Sequence, residues 1–270
     1  MPDLIEPTLP DAVLEHIGAG ADLIVPIANG EPVTLLDAIE RNADRLEGVR
    51  VHQMHALRDR PYLHGAYGDR LRHVSYFLSH VTRPRFAEGH VDLVPNHFSE
   101  VYPLLRHRCK DPLVIAAVSP PDRHGYLSLG TGADYAASFI GRARFFVEAN
   151  ACMPRTSGRN QLHLSQVAGW IRSEVPLVEV APLEPEEMDR RIAAFVAERI
   201  PDGATIQTGI GAIPNAILAS LGNHRALGIH TELLSDGVIG LIEPGVVTGA
   251  RKRNNRTKTA GPFVPGTQPL

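Results

Sequence analysis

Cysteine is scarce in this sequence: Cys109 and Cys152 are the only two among 270 residues. Two thiols cannot build a disulfide framework, and the expected setting is reducing and cytoplasmic. Unbroken apolar runs are short. None approaches the about 20 residues needed to cross a bilayer, so no membrane segment is expected. The opening stretch, MPDLIEPTLPDAV, has neither a basic start nor an apolar stretch behind it, so no secretory signal is expected. An excess of either charge is also missing. Lys plus Arg number 27 and Asp plus Glu 30, a net charge of -3. Such a protein has no bulk attraction for nucleic acid or anionic membrane. Internal repeats and long low-complexity tracts are absent.

What is present is ordinary globular material, 43% hydrophobic and 21% charged, with enough apolar surface to fold. At about 150 residues per domain, the length suits one large or two modest domains. Strand-like and helical patterns alternate. Asp22–Gly30 reads as a buried strand running into an Asn-Gly turn. Thr34–Val49 has apolar residues at helical spacing, with Thr34 as the expected N-cap. Val49–His55, Asp111–Asp122, Ala143–Asn150 and Val175–Ala181 read as further strands. This alternation predicts an α/β fold with a largely parallel sheet.

The pattern breaks at Ala181–Glu187, which has two prolines and three glutamates. A domain is therefore expected over residues 1–184 and a smaller one over 185–270. The second opens with a helix, Met188–Ile200, whose Ile192, Phe195, Val196 and Ile200 share one side, and which stops at Pro201-Asp202-Gly203. Near the end, Arg251, Lys252, Arg253, Arg256 and Lys258 form a basic run without interleaved aromatics. It reads as a solvated stretch entering another strand, with contact to a phosphate as a lesser alternative and nucleic acid disfavoured.

Gly203–Gly237 carries the chemistry. It reads as strand, glycine turn, helix, then the apolar-to-polar piece GIHTE. Gly209 and Gly211 permit a tight turn and a close backbone approach. Pro214 suits an early helical position, where its missing N–H costs nothing. The helix N-terminus behind the turn offers free N–H groups to an anion. The spacing is not that of a dinucleotide-binding GxGxxG, because Asn215-Ala216 stands where the third glycine belongs. Glu232 ends the second strand-like piece. An isolated glutamate is commonly a solvated surface group. At a strand end beside a helix N-terminus, a partly desolvated carboxylate can instead serve as a covalent nucleophile. The 13 histidines show no metal-ligand spacing, so no metal site is predicted, and His16, His52, His55 and His64 read as surface or hydrogen-bonded structural residues.

GIGAIPNAIL followed by LGIHTELLSDG resembles the acetyl-CoA hydrolase/transferase family, which includes 4-hydroxybutyrate and butyryl CoA-transferases. Val118–Tyr135, Val147–Ser165 and Gly89–Val101 agree with it in order, so the resemblance covers nearly the whole sequence. It implies two open, mostly parallel α/β domains of CoA-transferase type with the active site between them. Glu232 matches the catalytic glutamate, which forms a glutamyl-CoA thioester. Gly209, Ile210, Gly211, Ala212 and Ile213 match the CoA-contacting loop. Coenzyme A enters as a substrate and no tightly bound cofactor is implied. The implied partners are acyl-CoA and short-chain carboxylates, with a homo-oligomer expected from an exposed sheet edge.

His124-Gly125-Tyr126 reads either as acyl-pocket lining or as the turn after a buried strand. Asn150, Met153, Pro154 and Arg155 carry the same pair of readings. Family members continue beyond the last residues of this sequence, so the second domain is expected to be incomplete and the polypeptide to be shortened at its C-terminal end. CoA transfer, acyl-CoA hydrolysis by the same glutamate, and a non-catalytic CoA-binding or assembly fragment all remain open from the sequence.

Overall fold

Leu113–Val118 is six apolar residues without alternation, the pattern of a parallel strand covered on both faces, and all six are buried. The strands on either side of it build the fold. The structure, a computed structural model, describes residues 6–179, 181 and 183–261. The protein divides between Val178 and Glu179 into two compact units.

The first unit contains strands β1 (Asp22–Ile24), β2 (Val49–Gln53), β3 (Leu71–Ser75), β4 (Val91–Leu93), β5 (Leu113–Val118), β6 (Tyr126–Ser128), β7 (Arg144–Asn150), β8 (Gln161–His163) and β9 (Gly169–Ser173). Its helices are α1 (Val33–Arg41), α2 (Thr82–Ala87) and α3 (Val101–Arg108). Seven strands form one sheet in the order β4-β3-β2-β1-β5-β7-β9, and every pairing in it is parallel. β6 and β8 form a separate antiparallel pair. The second unit contains α4 (Glu187–Ala197), β10 (Thr205–Ile206), α5 (Ala212–Ala219), β11 (Gly228–Ile229) and α6 (Asp236–Ile242). The predicted α/β class and parallel sheet are therefore what the polypeptide forms.

Strand order reverses at β1, since the polypeptide first builds outward through β2, β3 and β4 and then returns to place β5 on the other side. Such a switch point opens a crevice at the strands' carboxyl ends. Leu23, Val25, Val51, Leu71 and Ile115 line one sheet face and pack with Leu35, Leu36 and Ile39 of α1. One outer strand, β4, is only three residues long, and its Asp92 pairs with Arg72. Against the other, β9, both the backbone N–H and the hydroxyl of Thr8 donate to the Trp170 carbonyl.

Several local expectations change. α1 begins at Val33 with Pro32 at the N-cap. Thr34, expected as the cap, is inside the helix, and its backbone N–H and hydroxyl donate to Glu148 at 2.8 and 3.0 Å. Leu35 N–H donates to the same carboxylate. A buried side chain from β7 thus satisfies the helix end that a local cap would otherwise serve. The expected strand at Val175–Ala181 does not form over the described residues 175–179. Pro176 removes a ladder donor, and side chains engage the neighbouring backbone instead: Asn150 donates to Val175 O, and Asn29 bonds both N–H and C=O of Val178. The edge strand is Gly169–Ser173, which the apolar pattern does not reveal.

In α4 the packed residues are Ala193 and Ala197, while Ile192 and Val196 are partly exposed and Phe195 is 60% exposed. α4 lies against α5, and the small side chains take the contact face. In the basic run, Arg251, Arg253, Arg256 and Lys258 are exposed as expected, but Lys252 is buried. The stretch does reach a strand-like position, with Ala260 bridging His230 in parallel.

Two buried polar arrangements set stability. Arg60 Nε donates to Glu31 at 2.7 Å, and its Nη1 reaches Asp37 at 2.9 Å and Glu40 at 3.0 Å. Its Nη2 donates to Val33 O, while Tyr62 N–H donates to Glu40. Burial raises the Glu40 carboxyl above its usual value against the pull of Arg60. His73 is fully buried and stacks on Tyr62 with centroids 5.8 Å apart. Neither of its ring nitrogens has a partner among the described residues, and burial drives its pKa from 6.5 to about 3.

Arg60→Met should destabilise the fold by about 3–5 kcal/mol, because it strands two buried carboxylates; denaturant unfolding at neutral pH measures the loss. For His73, the unfolded state takes up a proton that the folded state refuses, so stability falls as pH drops from 6.5 toward about 3. His73→Phe should flatten that part of the acid limb in urea midpoints measured across the window. An unchanged slope would show that His73 is protonated in the native state.

Candidate active site

Between β10 and β11, a glycine turn and an eight-residue helix are positioned by a parallel strand pair. The register is Thr205 with Gly228 and Ile206 with Ile229. His230 N–H continues the ladder by donating to Ile206 O at 3.0 Å. Beyond it a side chain takes over. Thr208 N–H donates to Thr231 Oγ1 at 3.1 Å, and that hydroxyl donates back to Thr208 O at 2.7 Å. Both threonines are buried. The residue after one is Gly209 and the residue after the other is Glu232. This reciprocal clasp therefore brings the start of the glycine loop and the candidate nucleophile out at the same carboxyl end of the pair.

Gly211 has φ 119° and ψ 177°, a region essentially confined to glycine. The bend lets α5 start at Ala212 directly after the turn. The N–H groups of Ala212 and Ile213 precede any intrahelical acceptor, and Pro214 at the third position has none to satisfy. A partial positive charge collects there. Ile210 is 65% exposed and Ile213 37% exposed, so the loop presents apolar side chains next to these polar donors. Gly209 is less demanding, since an added Cβ would meet only Pro214 Cγ at 3.7 Å.

Glu232 is exposed, where the sequence pattern predicts a partly desolvated carboxylate. The reason is strand alternation. In the extended segment Ile229 and Thr231 point inward and His230 and Glu232 outward. Among the described residues no donor holds the Glu232 carboxylate.

β11 is secured on its other side by Lys252, which the sequence pattern does not distinguish from its basic neighbours. Its ammonium donates to Ile229 O at 2.6 Å and Lys258 O at 2.7 Å. Burial lowers its pKa. Its stem lies against Gly228, where a Cβ would come within 2.4 Å of Lys252 Cγ. Ala260 completes the edge, donating to Ile229 O and accepting from Thr231 N–H.

In the first unit, the loops after β1, β5 and β7 leave the carboxyl edge of the sheet. The His124-Gly125-Tyr126 loop is a tight turn: Asp122 accepts from the N–H groups of His124 and Tyr126, and Gly125 has φ 81°. Arg155 donates to Tyr126 O. Asn150 accepts from Cys152 N–H, and Met153 Sδ lies within hydrogen-bonding reach of Thr131. The end of the Val118–Tyr135 block, whose Asp134 and Tyr135 the sequence pattern does not mark individually, bonds to the backbone that follows β1. Asp134 accepts from Ile27 N–H at 2.6 Å and from Ala136 N–H at 2.7 Å. Burial raises its carboxyl to about 7. Tyr135 donates to Val25 O and accepts from Met54 N–H. Gly132 approaches Gly30 so closely that a Cβ on Gly132 would lie 3.0 Å from the Gly30 Cα. The glycines of GTGADY are the available signal.

Comparison with known proteins agrees with this architecture. The model of the acetyl-CoA hydrolase/transferase N-terminal domain matches residues 8–186. The protein is 35% identical over 257 residues to the succinyl-CoA:cyclohexane-1-carboxylate CoA transferase of Geobacter metallireducens, covering 94% of this sequence and 58% of that protein. It is 35% identical over 245 residues to the 4-hydroxybutyrate coenzyme A transferase of Clostridium kluyveri, covering 90% of this sequence and 57% of that protein. Among solved structures, RipA from Yersinia pestis matches with a TM-score of 0.88 at 33% identity, over 96% of this protein and 63% of its own length. The sequence thus spans 57–63% of the length of these relatives, less than two thirds. With the family model covering most of the sequence and both units matched in order, the protein belongs to the acetyl-CoA hydrolase/transferase family.

Proposed function

We propose that this protein exchanges coenzyme A between an acyl-CoA thioester and a carboxylic acid, with Glu232 as the covalent nucleophile. The observation that supports the reading is the Thr208–Thr231 clasp, since the Gly209–Ile213 turn follows one threonine and Glu232 follows the other at the carboxyl end of the same strand pair. The curated relatives bear names of CoA transferases acting on carboxylates.

In this reading a Glu232 carboxylate oxygen attacks the thioester carbonyl carbon. The C–S bond breaks, CoA leaves as thiolate, and a mixed anhydride remains. The thiolate then attacks Cδ of Glu232 and expels the original acyl group as free carboxylate. The enzyme is left as a glutamyl-CoA thioester. An incoming carboxylate attacks the same carbon, releases the thiolate and regenerates an anhydride. Attack of the thiolate on the new acyl carbonyl gives the product thioester and restores Glu232. The two-stage route avoids direct attack of one weak nucleophile on a thioester in water. Each addition places negative charge on a carbonyl oxygen, and the free N–H groups of Ala212 and Ile213 are suited to stabilise it. Ile210 and Ile213 offer apolar contact for the CoA arm or the acyl group.

The exposure of Glu232 favours a second reading, hydrolysis, in which water replaces the incoming acid at the glutamyl-CoA stage. Products separate the two. With acetyl-CoA and excess butyrate, transfer yields butyryl-CoA and acetate, whereas hydrolysis yields free CoA and acetate with no butyryl-CoA.

Incubation with acetyl-CoA should add one CoA to the intact mass, mapped to Glu232 and absent from Glu232→Ala. A folded sample that acquires no adduct, or an adduct that survives in Glu232→Ala, removes this mechanism. Gly211→Ala should slow adduct formation about 5- to 100-fold. The left-handed backbone costs an alanine roughly 1–3 kcal/mol, so the loop leaves its geometry. Rapid-quench mass spectrometry measures the rate, with circular dichroism confirming an intact fold.

A further inference from the structure

On the sheet face opposite Leu23 and Val51, three side chains of different chemistry converge. Asp22 opens β1, His52 lies near the end of β2, and Cys109 follows directly on α3. One Asp22 oxygen, a His52 ring nitrogen and the Cys109 sulfur all lie within 4.8 Å of one another. His52 Nε2 is 2.9 Å from Asp22 Oδ1, and its Nδ1 is 3.0 Å from Tyr76 Oη. His52, Tyr76 and Cys109 are buried. The Asp22 side chain is 25% exposed, and with Arg50, Asp92, His107 and Arg108 it lines an open hollow of about 780 Å³.

We propose that Asp22, His52 and Cys109 form a mononuclear site for a divalent cation of the zinc type, with a fourth position open to the hollow. The donor set is one carboxylate oxygen, one imidazole nitrogen and one thiolate. Its two negative charges neutralise a dication, and its nitrogen and sulfur select zinc or cobalt over magnesium or calcium. Tetrahedral bonds of about 2.0–2.3 Å set ligand atoms about 3.3–3.8 Å apart. The three groups lie within 4.8 Å of one another, so binding needs only small shifts, and Asp22, being partly exposed, can retreat the few tenths of an ångström that its 2.9 Å approach to His52 requires.

Tyr76 supplies the outer support that metal-bound imidazoles generally have. With the ring proton on Nδ1 and donated to Tyr76 Oη, the Nε2 lone pair faces the cation. Without a cation, His52 Nε2–H donates to Asp22 at 2.9 Å, and the Cys109 thiol lies within 4.8 Å of both. On binding, the thiol proton passes to water and the imidazole proton occupies Nδ1, a net release of one proton from the neutral-imidazole state. Arg108 borders the hollow and opposes a cation, which weakens affinity and suits a reversible site. Arg50, which also lines the hollow, is already paired with Asp69. Sequence spacing conceals the set, because the order β2-β1 and the end of α3 bring it together. The proposal is independent of CoA chemistry.

The test is cobalt titration of the 270-residue protein after reduction and chelator treatment. One equivalent should bind with a thiolate-to-cobalt charge-transfer band, and zinc should displace it. Cys109→Ser should abolish the band, whereas Cys152→Ser, which removes the exposed thiol, should retain it. Tyr76→Phe should weaken cobalt binding about 10- to 100-fold. Should Cys109→Ser fail to fold, Asp22→Asn provides the second variant and should lower affinity at least tenfold. No charge-transfer band at millimolar cobalt, a band that follows Cys152, or unchanged affinity in Asp22→Asn would overturn the site.

Discussion

Parallel pairing is the constraint on which the rest depends. When strands run the same way, their carboxyl ends collect along one edge, and every connecting loop at that edge faces common space. The seven-stranded sheet gathers the loops after β1, β5 and β7 in this way. The two-stranded pair of the second unit does the same on a smaller scale, with only two ladder residues in each strand. Such a short ladder cannot fix geometry alone. Thr208 and Thr231 extend it with side-chain bonds, and Lys252 anchors β11 from the far side.

Buried charge performs the same task in the larger unit. Glu148 reaches from a central strand to the first turn of α1, Arg60 binds three carboxylates, and Asp134 fixes the loop at the switch point. Each joins segments far apart in sequence. Each also carries a desolvation cost that is offset only while all its partners remain in place. Their common effect is to hold loops whose backbone lacks a ladder of its own.

This division explains what the sequence makes legible. Leu113–Val118 announces itself because a strand covered on both faces needs uninterrupted apolar residues, and Phe145–Val147 mark its neighbour in the same way. Gly209, Gly211 and Pro214 announce the turn into α5 because backbone conformation restricts residue choice locally. Val175–Ala181 is also mostly apolar, but Asn150 and Asn29 occupy backbone groups of Val175 and Val178, and no local pattern records that competition. α4 shows the opposite limit. Its large apolar residues suggest a buried side, while close approach to α5 selects Ala193 and Ala197. Glu232 is legible as a residue at a strand end, yet its outward direction depends on the register that Thr231 fixes. Lys252 looks like one member of a charged run because its carbonyl partners come from another strand and a later turn.

The rims of the large sheet carry a consequence for how this polypeptide behaves in a crowded solution. On one flank the outermost strand offers three residues and an Arg72–Asp92 ion pair; on the other, Thr8 already occupies the Trp170 carbonyl. Each feature blunts its flank against pairing with an extended segment of a neighbouring molecule, which works against fibre growth through this sheet.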